Sequence, residues 1–273
     1  GFLELVAERD GARQTGYKCG WAVLPSGLDP DEIGRVAATR ALGKFGAERP
    51  PTARTSVILT PEVTAGLFEA LAGALSGKAV LRGRSLFADK VGKQVGSKTV
   101  TLTDDGGRED GFSASPFDGE GTPSAEAILI REGELKGFLH DTYTAARLGT
   151  ASTGHAVRDS SIGPPGVGTR NLCLSPSGRS RQEVLAAVTD GIQVDEVMGL
   201  HTIDPVTGDF SLGALGHQVR AGAMGRPLEG FAISGNVLDL LGSVEAVADD
   251  LSFMPGGCGG STVLLRDVTV SGQ

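Results

Sequence analysis

Apolar and polar positions alternate in two runs over residues 2–24, FLELVAERDGARQTGYKCGWAVL, on either side of the polar turn Asp10-Gly11. A period of two interrupted by a turn dipeptide predicts a β-hairpin. The period then lengthens. Residues 29–46, DPDEIGRVAATRALGKFG, place Ile33, Val36, Ala37 and Leu42 on one side of a helix that Asp29 or Asp31 would open. Residues 47–54, AERPPTAR, keep neither period, and Pro50-Pro51 marks a linker. The expected organisation is therefore a hairpin and helix in residues 1–50, followed by a larger domain over residues 51–273.

From Ser56 the pattern changes. SVILT predicts a short buried strand, and Thr60-Pro61-Glu62 opens a helix, with Thr as N-cap, Pro in the first turn and an acid near the positive end of the dipole. That helix is expected to reach about Gly77, with Val63, Leu67, Leu71 and Leu75 as its core stripe. EAILIREGELKGFLHD predicts a hairpin turning at Glu132-Gly133, and TYTAARLG a short helix stopped by Gly149. In SRQEVLAAVTDG, Ser180 and Glu183 form a capping box and Gly191 suits the exit. IQVDEVMG, DFSLGALGHQVR, GFAISG and STVLLRDVTV read as strands, interrupted by the short helix NVLDLL. Strands outnumber helices and are often joined as hairpins, so the expected class is α+β, with largely antiparallel β-sheet and a few packed helices.

Composition narrows the partners. The 42 glycines among 273 residues are about twice the usual share of roughly 7%, which suits tight turns and short strands. Aromatics make up 5% and the net charge is −8, so neither base stacking nor phosphate attraction is provided and no nucleic-acid partner is expected. Cys19, Cys173 and Cys258 are an odd, scattered set without the spacing of a disulfide framework, which suits a reducing compartment. No apolar run reaches the roughly 20 residues that cross a bilayer, so no membrane partner and a cytoplasmic location are expected. The chain opens at Gly1 inside a strand pattern, as the later part of a longer protein would.

Glu69 is the candidate functional residue. It stands in the apolar segment GLFEALAGAL, roughly 200° around the helix from Leu67, among Ala65, Gly66, Ala72, Gly73 and Ser76. A face of small residues lets another backbone approach. Glu69 is then either a surface acid of an amphipathic helix or a carboxylate lining a cleft.

The segment VILTPEVTAGLFEALAGALSG resembles the corresponding segment of the TldD/PmbA family, whose early description was as modulators of DNA gyrase and whose activity is that of an intracellular zinc metalloprotease. In the TldD branch this segment reads HExxxH: two imidazoles hold zinc and the Glu activates the metal-bound water, the arrangement a catalytic zinc requires. Position by position, the resemblance places the general base on Glu69, the first His on Phe68, the second on Gly73, and the third ligand, a Cys near the C-terminus, on Cys258 in MPGGCGG. Both imidazoles are absent. Further similar segments follow in the same order, among them LKGFLHDTYTAARLGTASTGHAVR and DEVMGLHTIDPVTGDFSLGA, so that the likeness runs from about Ser56 to Gln273. Residues 1–50 are similar to the end of the family's N-terminal domain.

The resemblance implies the PmbA/TldE branch. Such a subunit carries no zinc of its own, pairs as a heterodimer with a TldD-like subunit that does, and assists cleavage of unfolded peptides. The alternative is a stand-alone or homodimeric protein-binding modulator, related to gyrase or to toxin-antitoxin systems. A third reading rebuilds an active site from Glu69 with another acid or with Cys258.

Other constellations have bland readings beside the sharp ones. Cys258 is a nucleophile without a neighbouring His, or a small residue in a glycine turn. GGCGGST lacks the Lys of a phosphate loop and leads into a strand. His140, His155, His201 and His217 are each satisfied or exposed, or two of them meet at a metal. Ser152 and His155 are too close in sequence to read as nucleophile and base. Asp204, Asp209 and Ser211 compose a self-capping turn or a groove wall, and the pairs Asp104-Asp105 and Asp249-Asp250 read as solvated turn residues.

Overall fold

A computed structural model describes residues 1–158 and 162–272. The chain begins with the hairpin of β1 (Phe2–Arg9) and β2 (Ala12–Cys19), turning at Asp10 and Gly11, both at positive φ. Helix α1 (Pro30–Gly43) is capped by Asp29, whose carboxylate accepts from the Glu32 N–H. It lies so close on the hairpin that a methyl at Gly16 would stand 2.1 Å from the Ala37 carbonyl oxygen. The buried stripe of α1 is Ile33, Ala37 and Ala41, while Leu42 is exposed, one position off the expected side.

The rest of the chain supplies β3 (Ala53–Leu59), α2 (Pro61–Ala72), α3 (Gly77–Leu81), β4 (Leu102–Asp105), β5 (Glu126–Arg131), β6 (Glu134–Leu135), α4 (Thr142–Leu148), β7 (Ala156–Val157), β8 (Gly166–Val167) and β9 (Leu172–Leu174). It continues with α5 (Arg181–Ala186), β10 (Asp190–Met198), β11 (Asp209–Arg220), β12 (Ala223–Asn236), α6 (Val237–Gly242), β13 (Val244–Val247), β14 (Ser252–Phe253), β15 (Gly259–Gly260) and β16 (Val263–Ser271). Six strands form the main sheet in the order β12-β11-β10-β3-β16-β13. Only β3 and β10 run parallel, and β12 also pairs with β16, so the sheet curls back on itself. The class is α+β with mostly antiparallel sheet, as the pattern predicts.

Burial follows the period of two along the central strands. Val57, Leu59, Val263 and Leu265 face the large core under α2, while Ile58 and Leu264 face a second cluster with Val184 and Val188 of the α5 segment. Strands covered on both faces read as continuous apolar runs, as VIL and VLL do here.

Four expectations give way. Helix α5 stops at Ala186, and Gly191 lies inside β10 opposite Ser56, where a side chain would strike the Ser56 carbonyl oxygen at 2.6 Å; the glycine serves the close parallel pairing, not a helix exit. Helix α2 ends at Ala72 and continues as a single 3-10 turn over Gly73–Leu75, two residues short of Gly77. The second arm of the hairpin at Glu132-Gly133 is only Glu134–Leu135, since Leu139 leaves it to bridge to Ser76. Asp104 is fully buried on β4 and accepts the Arg170 and Asn171 N–H groups, so it is a structural hub and not a solvated turn residue.

Candidate functional site

Helix α2 positions the residues singled out by sequence. Val63, Leu67, Leu71 and Leu75 are buried as the stripe requires, and the ring of Phe68 joins the same core at 6% exposure. Thr60 occupies the N-cap position, but its hydroxyl makes no cap and donates instead to the Asp195 carbonyl oxygen at 3.5 Å. Glu69 is exposed, and Gly73 stands open, with no atom of a neighbouring element within 4 Å of where a side chain would begin.

At Ala65, one end of the small face, backbone does approach, and the approaching segment is the glycine turn of the same chain, while Gly66 meets the Leu200 side chain and Gly73 stays open. β15 lies against the first turns of α2 so tightly that a methyl at Gly260 would sit 1.8 Å from the Pro61 carbonyl oxygen. Gly257, at φ +91°, would carry a methyl 2.2 Å from the Arg170 carbonyl oxygen. The turn is held by the Leu172 N–H donating to the Gly257 carbonyl and the Met254 N–H donating to that of Cys258. Glu69 reaches over this turn, its Oε1 3.3 Å from the position of a Cβ at Gly256.

Cys258 is 2% exposed within the core. Burial, then the carboxylates of Glu69 and Asp104, push its thiol up to about 12. A protonated, covered thiol is neither a nucleophile nor a ready ligand at neutral pH. The three positions thus offer one sulfur, one phenyl ring and one bare backbone, with Glu69 beside them. They do not fit a zinc, which needs three donors. Among the described residues no group of three or more His, Cys, Asp or Glu side chains is arranged to hold a metal ion.

Beside the turn lies a buried pair. His155 is fully covered, its Nε2 3.5 Å from Asp104 Oδ1 and without a hydrogen bond, while its Nδ1 lies 2.7 Å from the Thr153 carbonyl oxygen. Ser152 donates to the His140 carbonyl, so Ser152 and His155 form no nucleophile and base. Asp204 caps its own turn by accepting from Val206 and Thr207, as read from the sequence. Asp209 accepts from Asn236, and Asp250 accepts from the N–H and hydroxyl of Thr262, so Asp250 is a fastening and not a free acid.

A second polar constellation lies at the other end of α2, where the hairpin and α1 meet the main sheet. Gln193 of β10 stands directly across from His217 of β11, and a β-bulge at Asp195 interrupts the pairing. Bulges re-aim side chains. Here Asp195 Oδ2 lies 2.6 Å from His217 Nδ1, and its Oδ1 accepts from Gln193 Nε2 at 2.6 Å. Asp195 raises the His217 imidazole above its ordinary range through that hydrogen bond, with burial opposing. Glu62 takes both Lys18 and Arg40, at 2.8 and 2.6 Å, and Lys44 pairs with Glu196. Burial would raise the Glu62 carboxyl, but the two cations together overcome it and hold it at about 2. The sequence reading passed over Asp195. The available signal was Gln193 and Asp195, two polar residues on one face of an otherwise apolar strand.

Residues 52–272 match the family described as the PmbA/TldA metallopeptidase C-terminal domain. The chain is 30% identical over 271 residues to the metalloprotease PmbA of Escherichia coli O157:H7, covering 98% of this chain and 57% of that protein. It is 32% identical to a metalloprotease of Methanothermobacter thermautotrophicus, covering 95% and 58%. The crystal structure of a Thermotoga maritima protein described as a candidate modulator of a DNA gyrase superposes with a TM-score of 0.91 at 32% identity, over 99% of this chain and 61% of that one. TldE from Thermococcus kodakarensis superposes with a TM-score of 0.88 at 26% identity, over 99% and 62%. The chain therefore spans about three fifths of the length of these relatives.

Proposed function

The chain belongs to the PmbA/TldD metallopeptidase family, and from that premise we propose that it is a TldE-type subunit, which works beside a zinc-bearing TldD-like partner and holds no catalytic metal itself. The observation that carries this reading is the pair Phe68 and Gly73. A phenyl ring buried in the core and a glycine open to solvent stand where two imidazoles would be needed. The covered thiol of Cys258 supports the same reading, since it is held protonated at neutral pH.

The work left to such a subunit is to complete a chamber with its partner and to hold unfolded peptide near the partner's metal. Extended peptide can add to a sheet edge through its backbone, without a demand on sequence. On this reading Glu69 is an inherited acid, and Glu69→Gln leaves cleavage by the complex within about twofold, because the base that activates water belongs to the other subunit.

The test is metal analysis and peptide cleavage of the isolated chain, then of the chain combined with an HExxxH-bearing relative. No stoichiometric zinc alone, with cleavage appearing only in an equimolar complex, is the expected result. Stoichiometric zinc with activity in the isolated chain overturns it. Recovery of a homodimer that ignores the relative points to the stand-alone modulator.

A further inference from the structure

The constellation around Asp195 opens into a cavity of about 550 Å³, lined by α1 on one side and by β10, β11 and β12 on the other. That volume falls within the range of small-molecule sites. Val36, Leu215, Met224, Leu228 and Met254 make its walls largely apolar. His217 lies on its floor, with Nδ1 fixed by Asp195 and Nε2 turned towards Gly43, where a methyl would stand 3.9 Å away. Gln193, 4% exposed, lines the same cavity, and its Oε1 has no hydrogen-bond partner. A buried acceptor left without a donor is costly, so the cavity wall lacks one donor.

Most charged side chains of the lining are engaged in ion pairs. Lys18 and Arg40 share Glu62, Lys44 pairs with Glu196 and His217 with Asp195, while Arg35 pairs with Glu32, outside the lining. Two charged side chains of the lining remain without an ion pair among the described residues: Arg181, at the first position of α5, and Glu229, on β12. One cation and one anion that no ion pair claims, on a largely apolar wall, suit a ligand carrying both charges. A simple anion would leave Glu229 unanswered, and a simple cation would leave Arg181.

We propose that this cavity binds a small zwitterion, an amino acid or short peptide with free termini, whose carboxylate meets Arg181 and whose ammonium meets Glu229 above the His217–Asp195 floor. The ligand's amide or ammonium N–H supplies the donor that Gln193 Oε1 lacks. The inference does not depend on the zinc-free reading, since it concerns this chain alone.

The experiment is calorimetric titration of the full chain with trialanine, with L-alanine, and with N-acetyl-trialanine amide, whose termini carry no charge. Saturable binding of trialanine or of L-alanine is expected, the tighter of the two identifying which source fits the volume. The blocked peptide and the variants Arg181→Ala and Glu229→Ala should each show affinity lower by about tenfold or more. Both side chains are exposed, so the variants should melt with the parent protein, and Arg181→Lys should recover part of the loss. Blocked peptide binding as tightly as free peptide overturns the proposal. So does unchanged affinity in either alanine variant, or no saturation by trialanine or L-alanine up to about 10 mM.

Discussion

Glu62 and Glu69 stand seven residues apart on helix α2, so their side chains leave it within about 20° of each other, yet they meet opposite surroundings. Glu62 is gripped by Lys18 and Arg40 from the hairpin and α1, and belongs to a seam of ion pairs bordering a cavity. Glu69 hangs over a glycine turn with no ion pair among the described residues, beside a buried ring and a covered thiol. The family likeness points to the Glu69 end. The polar machinery that the fold has assembled lies at the Glu62 end. Position on a helix therefore says where an acid emerges, and the elements packed there decide what it can do.

The sharpest break of the comparison is at Phe68. If its ring is what keeps the Glu69 end dry and filled, Phe68→Ala should destabilise the protein by about 3–5 kcal/mol in denaturant unfolding, the usual cost of emptying a buried aromatic site. A loss under about 1 kcal/mol would mean that the ring is not part of the core.

Acid titration separates the two carboxylates next. Glu62 is held at about 2 against an ordinary 4.5, so its contribution to stability is present in full above 4.5 and is lost as the pH falls towards 2. The shift corresponds to about 3 kcal/mol. Glu62→Gln should be less stable at neutral pH and should lose the part of the acid sensitivity that arises in this interval. An unchanged profile in the variant would remove Glu62 from the seam.

At the cavity floor the expected effect is smaller. Asp195→Asn removes the carboxylate that raises His217, so the imidazole should return towards its ordinary range in an NMR titration, with a stability cost of about 1 kcal/mol. The sign is opposite to that of Glu62. The raised His217 stabilises in full below its ordinary 6.5, and that contribution fades as the pH rises through the raised value. In the variant this alkaline loss should vanish. Glu69→Gln should do least, within about 0.5 kcal/mol, as an exposed substitution without an ion pair does. A larger effect would show that Glu69 is fastened to the glycine turn.

Much of the framework was legible because it is local. Asp10-Gly11, the Asp29 cap and the capping box of Ser180 and Glu183 each place a turn or helix end by chemistry within four residues. The buried stripe of α2 was readable from its period, and the family likeness from the segments around Glu69. Asp104 was misread because its neighbour Asp105 and the following glycines do form a turn, while the backbone N–H groups that claim its carboxylate come from residues 170 and 171. Gly191 was misread for a similar reason, since the contact that requires a glycine is with Ser56 on a parallel strand.

By itself the sequence determined most of the strands, several helix caps, the residues at positions 68 and 73 and, through the segments quoted, the family. Only the tertiary structure decided that Asp195, His217 and Gln193 converge, that Cys258 is sealed beneath Glu69, and which two of the cavity's charges stay unclaimed. The reason is range. Periodicity and capping act over a few residues and are written in order along the chain, whereas a bulge that aligns residues 195 and 217, or an ion pair from residue 18 to residue 62, exists only once distant segments have packed.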